Sequence, residues 1–209
     1  MKKFLTILIL ILTFQTPSQA DDIRDFEIEG MSIGESLLDY FDKEQIEKEK
    51  KSEFVYFYKN NKFMEVGIGG NESYSLFKKL EIYDELGAII KPNDKTYKIY
   101  AISGQIFCRD DFNICLSKKK EIVSMLKDFF GNKAKLSVED KKHRADKTGN
   151  SMVYGTYFLF KSSKDEISVA AYEWSKKLQK EKRWYNNLQV DISSEEFINF
   201  LRSPDPYSY

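Results

Sequence analysis

Apolar and polar residues alternate in many parts of this chain with the two-residue period of half-buried β-strands. Two pairs of these segments flank turn-forming residues at 59–62 and 162–165, which predicts two β-hairpins. The glycines of 67–70 predict a loop after the first hairpin, and Gly104 predicts a bulge. The segments predicted as strands are 26–28, 54–58, 63–68, 76–83, 88–91, 97–102, 152–160, 167–174 and 188–192.

Other segments repeat apolar residues at intervals of three and four, which is typical of an amphipathic α-helix. Ser32 precedes Glu35 by three residues in a capping box, and Leu37, Leu38 and Phe41 follow at helical spacing. A helix is therefore predicted here. A second, short and exposed helical segment is predicted directly after it, because an Asp and a Gln repeat the same capping pattern.

Two further helices are predicted in the second half of the chain. One covers 117–130, and Gly131 supplies its C-terminal stop. The other begins near Ser193, which has a glutamate three residues on. For the polar segment 132–150, the sequence leaves two alternatives, a short helix or a mobile loop. The lysine-rich segment 175–183 is interpreted as a loop.

Helices separated by hairpin-linked strands favour an α+β fold, with an antiparallel sheet and helices packed on one face. Ile28-x-Gly30 and Ile102-x-Gly104 each precede a helix and a hairpin. A tandem repeat of a helix-plus-hairpin unit would account for this pattern, and chance similarity is the alternative. The predicted organisation is two α+β halves, 21–101 and 102–209, that share one core.

The first twenty residues have the three parts of a secretory signal peptide. Lys2 and Lys3 precede a mainly apolar run at 4–14, and small residues lead up to Ala20. Cleavage is predicted between Ala20 and Asp21, with the mature protein periplasmic or secreted. The alternative is an uncleaved anchor, but the run is shorter than the ~20 residues that span a bilayer. The cleavage point has no cysteine for a lipid anchor, and the mature chain has no further apolar run long enough to span.

The charge of the chain gives no indication of a highly charged partner. Its 33 basic and 33 acidic residues balance, and removal of Lys2 and Lys3 leaves a net charge of about −2. Arginine is scarce beside lysine, although arginine is the residue that nucleic-acid readers favour for bidentate contacts. No nucleic-acid partner is therefore expected.

The chain contains two cysteines, Cys108 and Cys115, seven positions apart. In an oxidising compartment a local disulfide is the simplest interpretation, with reduced thiols as the alternative. A structural zinc site would need two more ligands, and His143 is the only histidine. No metal ion or other cofactor is expected.

A Gly-Met-Ser sequence enters the first predicted helix, which is followed by antiparallel strands. The residues are Glu29-Gly30-Met31-Ser32 and then Glu35-Ser36-Leu37-Leu38. In this arrangement the chain resembles small envelope proteins of the SmpA/OmlA type, which are outer-membrane-assembly accessories. Those proteins share a helix-then-sheet layout with the tandem β-lactamase-inhibitor-protein fold. The resemblance implies a non-enzymatic envelope module, but this chain departs from the family by lacking its lipobox cysteine, so the resemblance does not extend to a membrane tether.

Two tetrapeptides carry a broader resemblance. One lies near the start of the mature chain and the other before the last helix. They are Met31-Ser32-Ile33-Gly34 and Asn187-Leu188-Gln189-Val190. In these the chain is similar to uncharacterised exported proteins of marine, AT-rich bacteria. This resemblance implies no function.

The sequence offers little catalytic chemistry, and no catalytic residue is assigned. His143 lies among basic residues and is interpreted as a solvated loop residue. No nucleophile elbow, zinc-protease helix or phosphate-binding loop is present. Paired carboxylates could support a hydrolase without histidine, which is the alternative functional hypothesis. The candidate pairs are Asp110-Asp111, Glu139-Asp140 and Glu195-Glu196.

Aromatic residues are concentrated around the second hairpin and the segment after it. A sheet core with tyrosines at its rim accounts for most of them. Trp184 and Tyr185 lie in a lysine-rich segment and are the candidate contacts for a partner. The leading hypothesis is an exported, non-enzymatic module that binds another envelope protein or a small ligand.

Overall fold

The computed structural model describes residues 23, 26–53, 55–70, 73–144 and 146–208. In this part of the chain, eight strands form one antiparallel sheet, accompanied by four α-helices. The predicted α+β class and antiparallel sheet are confirmed. The signal peptide predicted at 1–20, with its cleavage site before Asp21, lies outside the described residues. No helix among the described residues is long and apolar enough to cross a membrane.

The strands are β1 (Tyr56–Phe57), β2 (Met64–Gly69), β3 (Glu85–Ile90), β4 (Ala101–Phe107), β5 (Ala134–Lys142), β6 (Met152–Phe160), β7 (Glu166–Glu173) and β8 (Asn187–Ser193). The helices are α1 (Lys43–Glu49), α2 (Phe112–Phe130), α3 (Lys176–Lys182) and α4 (Glu195–Leu201).

The spatial order of the strands is β1-β2-β3-β4-β8-β7-β6-β5, and all neighbours are antiparallel. Both predicted hairpins are confirmed, as β1–β2 and β6–β7. The last strand in the chain, β8, lies between β4 and β7 and joins the two runs of strands. The sheet is therefore continuous across the predicted boundary at residues 101 and 102. Duplication of a helix-plus-hairpin unit stays a prediction.

One face of the sheet carries the main hydrophobic core. Apolar residues alternate along the central strands, as Val66, Ala88, Ile102 and Val190 do, and their side chains are buried together. α2 packs on β7 and β8 and covers this face. Burial of aliphatic side chains contributes about 1.5 to 3 kcal/mol each, so this face supplies most of the stabilisation.

A second, smaller cluster occupies one end of the opposite face. Phe197 of α4 packs on Phe63 with 5.1 Å between ring centroids, and Phe200 packs on Phe63 at the same distance. Ile89 and Ala101 of the sheet complete the contact. The rest of this opposite face is left uncovered by helices among the described residues.

The helix predicted after Ser32 is wrong in extent. The capping bond from Ser32 N to Glu35 Oε2 is present at 2.7 Å, but only a 3-10 helix, Leu37–Asp39, follows. The amides of Gly34 and Leu37 donate to carbonyl oxygens in 97–99 instead of extending a helix. These bonds to a distant segment explain the short turn.

The strand predicted at 76–83 is also wrong. One carboxylate oxygen of Glu29 accepts hydrogen bonds from the amides of Glu81, Ile82 and Tyr83, at 3.0, 2.7 and 3.3 Å. These amides therefore do not pair with another strand. The Tyr83 ring then covers Gly104, where a Cβ atom would lie 2.6 Å from the ring. Gly104 is therefore a regularly paired residue of β4, and the predicted bulge is wrong. Its lack of a side chain makes room for the Tyr83 ring.

Several local predictions are corrected by the pairing of strands. Segment 26–28 is not a strand, and its last residue, Ile28, closes a tight turn through a bridge to Met31. The glycines at 67 and 69 belong to β2, not to a loop. Segment 132–150 supplies the edge strand β5, and the predicted loop at 175–183 contains α3, whose N-cap is Ser175.

Candidate functional site

The uncovered face of the sheet contains a row of small residues that crosses five adjacent strands. They stand opposite one another on β2, β3, β4, β8 and β7 and are Gly67, Gly87, Ser103, Asp191 and Ser168. Small side chains on a pleated face leave a trough between the taller residues on either side. A cavity of about 670 Å³ lies over this face, and we call it the cleft.

Asp191 lies on the floor of the cleft. Its Oδ2 accepts a hydrogen bond from Ser168 Oγ at 2.6 Å, and its Oδ1 accepts one from Gln189 Nε2 at 2.8 Å. Burial raises the pKa of Asp191, and these donors with the nearby Ser103 hydroxyl oppose the rise. No described lysine or arginine pairs with this carboxylate.

Glu65 supplies a second carboxyl group to the floor. It projects from β2 over Gly87 of β3, where a Cβ atom would lie only 2.1 Å from Glu65 Oε1. Burial and then the charge of Asp191 raise the pKa of Glu65 from 4.5 to about 7, against a hydrogen bond from Tyr58 that lowers it. With this pKa, the carboxyl group is about half protonated near neutral pH.

Ser103 stands between these two carboxyl groups in the row of small residues. Its side chain is buried, with 3% of the residue exposed, and it lines the cleft. Ser103 Oγ is close enough to Asp191 to lower the pKa of that carboxyl group. It nevertheless makes no hydrogen bond of normal geometry with any described residue. A buried hydroxyl without a partner costs about 1 to 3 kcal/mol, so it is a natural contact for a ligand.

Four tyrosines line the cleft together with Asp191: Tyr58, Tyr157, Tyr172 and Tyr207. Burial raises the pKa of each phenol, and the negative charge of Asp191 raises it further. The effect brings the pKa of Tyr157 to about 12. All four phenols are therefore neutral at physiological pH.

One end of the cleft has an aromatic wall. Trp174 contacts Trp184 and His143, with ring centroids 4.5 and 4.6 Å apart, and it stacks on Tyr172 at 5.7 Å. The two tryptophans of the wall are the only ones in the chain. β7 presents Tyr172, Trp174 directly follows this strand, and α3 brings the chain back to Trp184 by ending at Arg183 in the left-handed conformation.

His143 belongs to this wall, so its interpretation as a solvated loop residue is wrong. It follows β5, and its ring lies against Trp174. Burial and then the positive charge of Arg144 lower its pKa. The imidazole is therefore mainly neutral at pH 7 and belongs to the aromatic surface.

Two ion pairs lie at the rim of the cleft. Lys141 Nζ lies 2.6 Å from Glu139, and Arg202 lies 2.9 Å from Glu166. Arg144 lies over the Tyr207 ring, 5.6 Å from its centroid. Lys142 also lines the cleft, so the rim holds more basic than acidic groups, while Asp191 and Glu65 on the floor form no ion pair with a described residue.

The structure separates the two predicted contact residues. Trp184 lines the cleft. Tyr185 lies outside it, where the Arg109 guanidinium sits 4.1 Å from its ring centroid and Phe107 contacts its edge. Their roles as partner contacts stay predictions.

The predicted disulfide between Cys108 and Cys115 is present, with 5.9 Å between the Cα atoms. It joins the segment after β4 to the first turns of α2, and both residues are buried. The disulfide is therefore part of the core on the face away from the cleft.

The carboxylate pairs proposed from sequence do not come together in the cleft. Asp111 caps α2 by accepting from Asn113 N at 2.9 Å, and Glu196 pairs with Lys91 at 2.7 Å. Of these candidates only Glu139 lines the cleft, at its rim. Among the described residues, no cluster of three or more His, Cys, Asp or Glu side chains could hold a metal ion.

Sequence reasoning missed Glu65 and Asp191. Each lies at a polar position of an alternating strand, which is the ordinary pattern of a solvent-facing residue. The signal that could have indicated them is their neighbours. Glycine and serine occur at the same face of the adjoining strands, and small residues there leave room for a ligand.

Comparisons with known proteins give no match: no family model, no curated protein and no solved structure is similar to this chain.

Proposed function

We propose that this protein is a binding module whose cleft on the uncovered sheet face takes a small polar ligand. The observation that carries the proposal is the cleft itself, because its floor joins hydrogen-bonding carboxyl and hydroxyl groups to a wall of aromatic rings. Concave sites with a few convergent polar groups and perturbed pKa values are the usual form of ligand sites. The buried Ser103 hydroxyl and the two floor carboxyl groups support this reading.

We propose further that the protein works outside the cytosol, as a periplasmic or secreted protein cleaved between Ala20 and Asp21. The disulfide between Cys108 and Cys115 supports this, because such bonds persist in oxidising compartments. The resemblance to small envelope modules supports it as well, although it names no ligand. The alternative is that the cleft binds another envelope protein instead of a small ligand.

Tryptophan fluorescence tests the proposal directly, since both tryptophans of the chain line the cleft. A ligand that occupies the cleft should change the emission in a saturable way. Trp184→Ala should weaken that binding while Trp174 still reports it. Tyr185→Ala is the matched control, because the adjacent side chain lies outside the cleft, and it should bind as the unaltered protein does.

Two results would contradict the proposal. Polar ligands from a screen of amines, sugars and peptides should include at least one that saturates the signal. Equal loss of binding in the Trp184→Ala and Tyr185→Ala variants, with both folded by circular dichroism, would place the ligand elsewhere. Absence of any saturable ligand would remove the proposed function.

A second candidate function is a hydrolase that uses carboxyl groups without histidine. The observation that favours it is Glu65, because a pKa of about 7 suits a group that both donates and accepts protons at neutral pH. Asp191 would then be the second carboxyl group. Activity on glycans or peptides that is lost in both Glu65→Gln and Asp191→Asn would establish this function, and activity retained in either variant would refute it.

A further inference from the structure

We propose that the ligand of the cleft is a linear organic diammonium ion, with one ammonium group at Asp191 and the other at Glu65. This inference rests on the proposed function and names the class of ligand. It depends on three features of the cleft, which are its unpaired carboxyl groups, its aromatic rings and the spacing along the row of small residues.

The first feature is a pair of floor carboxyl groups, Asp191 and Glu65, that form no salt bridge with any described residue. Among the described residues, neither Asp191 nor Glu65 forms an ion pair, whereas Glu139 and Glu166 at the rim each have a basic partner. Partly buried carboxylates without a cation are costly, so a bound ammonium group would relieve the cost. An anionic ligand would be repelled from the same floor.

The second feature is the set of aromatic rings around the carboxylate. Tyr58, Tyr157, Tyr172 and Tyr207 line the same cleft as Asp191, and Trp174 and Trp184 line it beside Tyr172. The face of an aromatic ring attracts a cation, most strongly for tryptophan and more when the site is shielded from water. The combination of a carboxylate with several rings therefore favours an organic ammonium group over a neutral polyol.

The third feature is the distance between the two carboxyl groups. The Glu65 carboxyl group stands over Gly87 of β3, and Asp191 lies two strands further on. Because neighbouring strands are ~4.8 Å apart, the two groups are separated by roughly 10 Å, the span of a diamine with about six methylene groups. Ser103 lies between them on β4 and borders the same trough.

The separation also excludes a single metal ion held by both carboxyl groups. Calcium binds its oxygen ligands at about 2.3 to 2.6 Å, so both carboxylates would have to meet at one point. Two charges on one flexible chain reach both groups without moving the sheet.

The test measures binding of three matched probes, 1,6-diaminohexane, 1-aminohexane and hexane-1,6-diol, by tryptophan fluorescence and calorimetry. The diamine should bind about tenfold or more tightly than the monoamine, because each hydrogen bond to a charged group contributes at least this factor. The diol should bind least. Glu65→Gln should lower the affinity for the diamine to that for the monoamine. Asp191→Asn should abolish binding of both amines.

Asp128→Asn is the control variant, since it makes the same chemical change on the exposed surface of α2, away from the cleft. It should leave all three affinities unchanged. Circular dichroism of each variant confirms that the fold is retained. Unchanged binding of the diamine in Asp191→Asn, or equal affinities for diamine and diol, would overturn the proposal.

Proton release provides a second readout that a merely structural role for Glu65 would not produce. An ammonium group beside Glu65 favours its ionised form, so binding at pH 7 should release protons from a carboxyl group that is half protonated. Asp191 is the other carboxyl group that faces Glu65. The phenols that face it, Tyr56, Tyr58, Tyr172 and Tyr207, stay neutral because the pKa of each is raised. Calorimetry in buffers of different ionisation enthalpy measures the release, and Glu65→Gln should abolish it.

Failure of this inference is distinguishable from failure of the proposed function. A neutral ligand that saturates the fluorescence in a Trp184-dependent way, with no response to the diamine, would retain the cleft as a binding site and refute the diammonium ligand. No saturable response to any probe or screened ligand would refute both.

Discussion

Replacement of Glu65 by glutamine should stabilise the protein at neutral pH and leave its stability almost unchanged in acid. Glutamine keeps the size and the hydrogen-bonding capacity of the protonated carboxyl group but carries no charge. The variant therefore removes only the free-energy cost of ionising Glu65 on the floor of the cleft. Gly87 leaves the same space for either side chain.

The magnitude follows from the pKa. A rise from 4.5 to about 7 corresponds to up to about 3 kcal/mol, since a change of one in pKa is worth about 1.4 kcal/mol. Between these two values the folded protein holds a proton that the unfolded chain has released. The contribution of Glu65 to the unfolding free energy therefore falls as the pH rises from 4.5 to 7 and levels off above it. This contribution is fully present below pH 4.5.

Urea unfolding, followed by circular dichroism from about pH 4 to about pH 8.5, measures this difference for each protein. The difference between Glu65→Gln and the natural protein should grow with pH and then remain constant. In an Asp191→Asn background the growth should be smaller, because the charge of Asp191 contributes to the raised pKa. A difference that does not depend on pH would refute the reasoning that burial holds Glu65 protonated.

Two other predictions concern the disulfide and the histidine. Replacement of Cys108 and Cys115 by serine should lower the unfolding free energy by about 2.5 kcal/mol, on the chain-entropy estimate for so short a loop, and a urea titration that shows no loss would contradict this. His143, as the only histidine, should titrate by NMR with a pKa below 6.5 because of burial and Arg144, whereas a value above 6.5 would show that its ring is solvated.

The strands that pair within one hairpin could be predicted from the sequence, because their apolar alternation and their turn lie close together in the chain. β1 with β2, and β6 with β7, are of this kind. Segment 76–83 has the same apolar character, yet its amides bind the Glu29 carboxylate, more than fifty positions earlier in the chain. α3 was missed for the opposite reason, since Leu178 is its one buried residue and its helical face is otherwise polar.

The cleft could be predicted only in part. Trp184 is a contact candidate from the sequence, because it is an aromatic residue in a lysine-rich segment. Glu65 and Asp191 lie on one cleft floor because β8, the last strand, inserts beside β4 and completes the row from Gly67 to Ser168. No local pattern indicates this pairing, so the two carboxyl groups looked like ordinary solvent-facing residues.

Chemical-shift mapping by NMR during a titration with 1,6-diaminohexane tests the central claim most directly, because it locates the ligand on the molecule. The account predicts saturable shifts at the indole N–H groups of Trp174 and Trp184 and at the amides of Ser103 and Asp191. Shifts confined to α2 and the opposite face, or shifts that never saturate, would contradict the assignment of the cleft as the binding site.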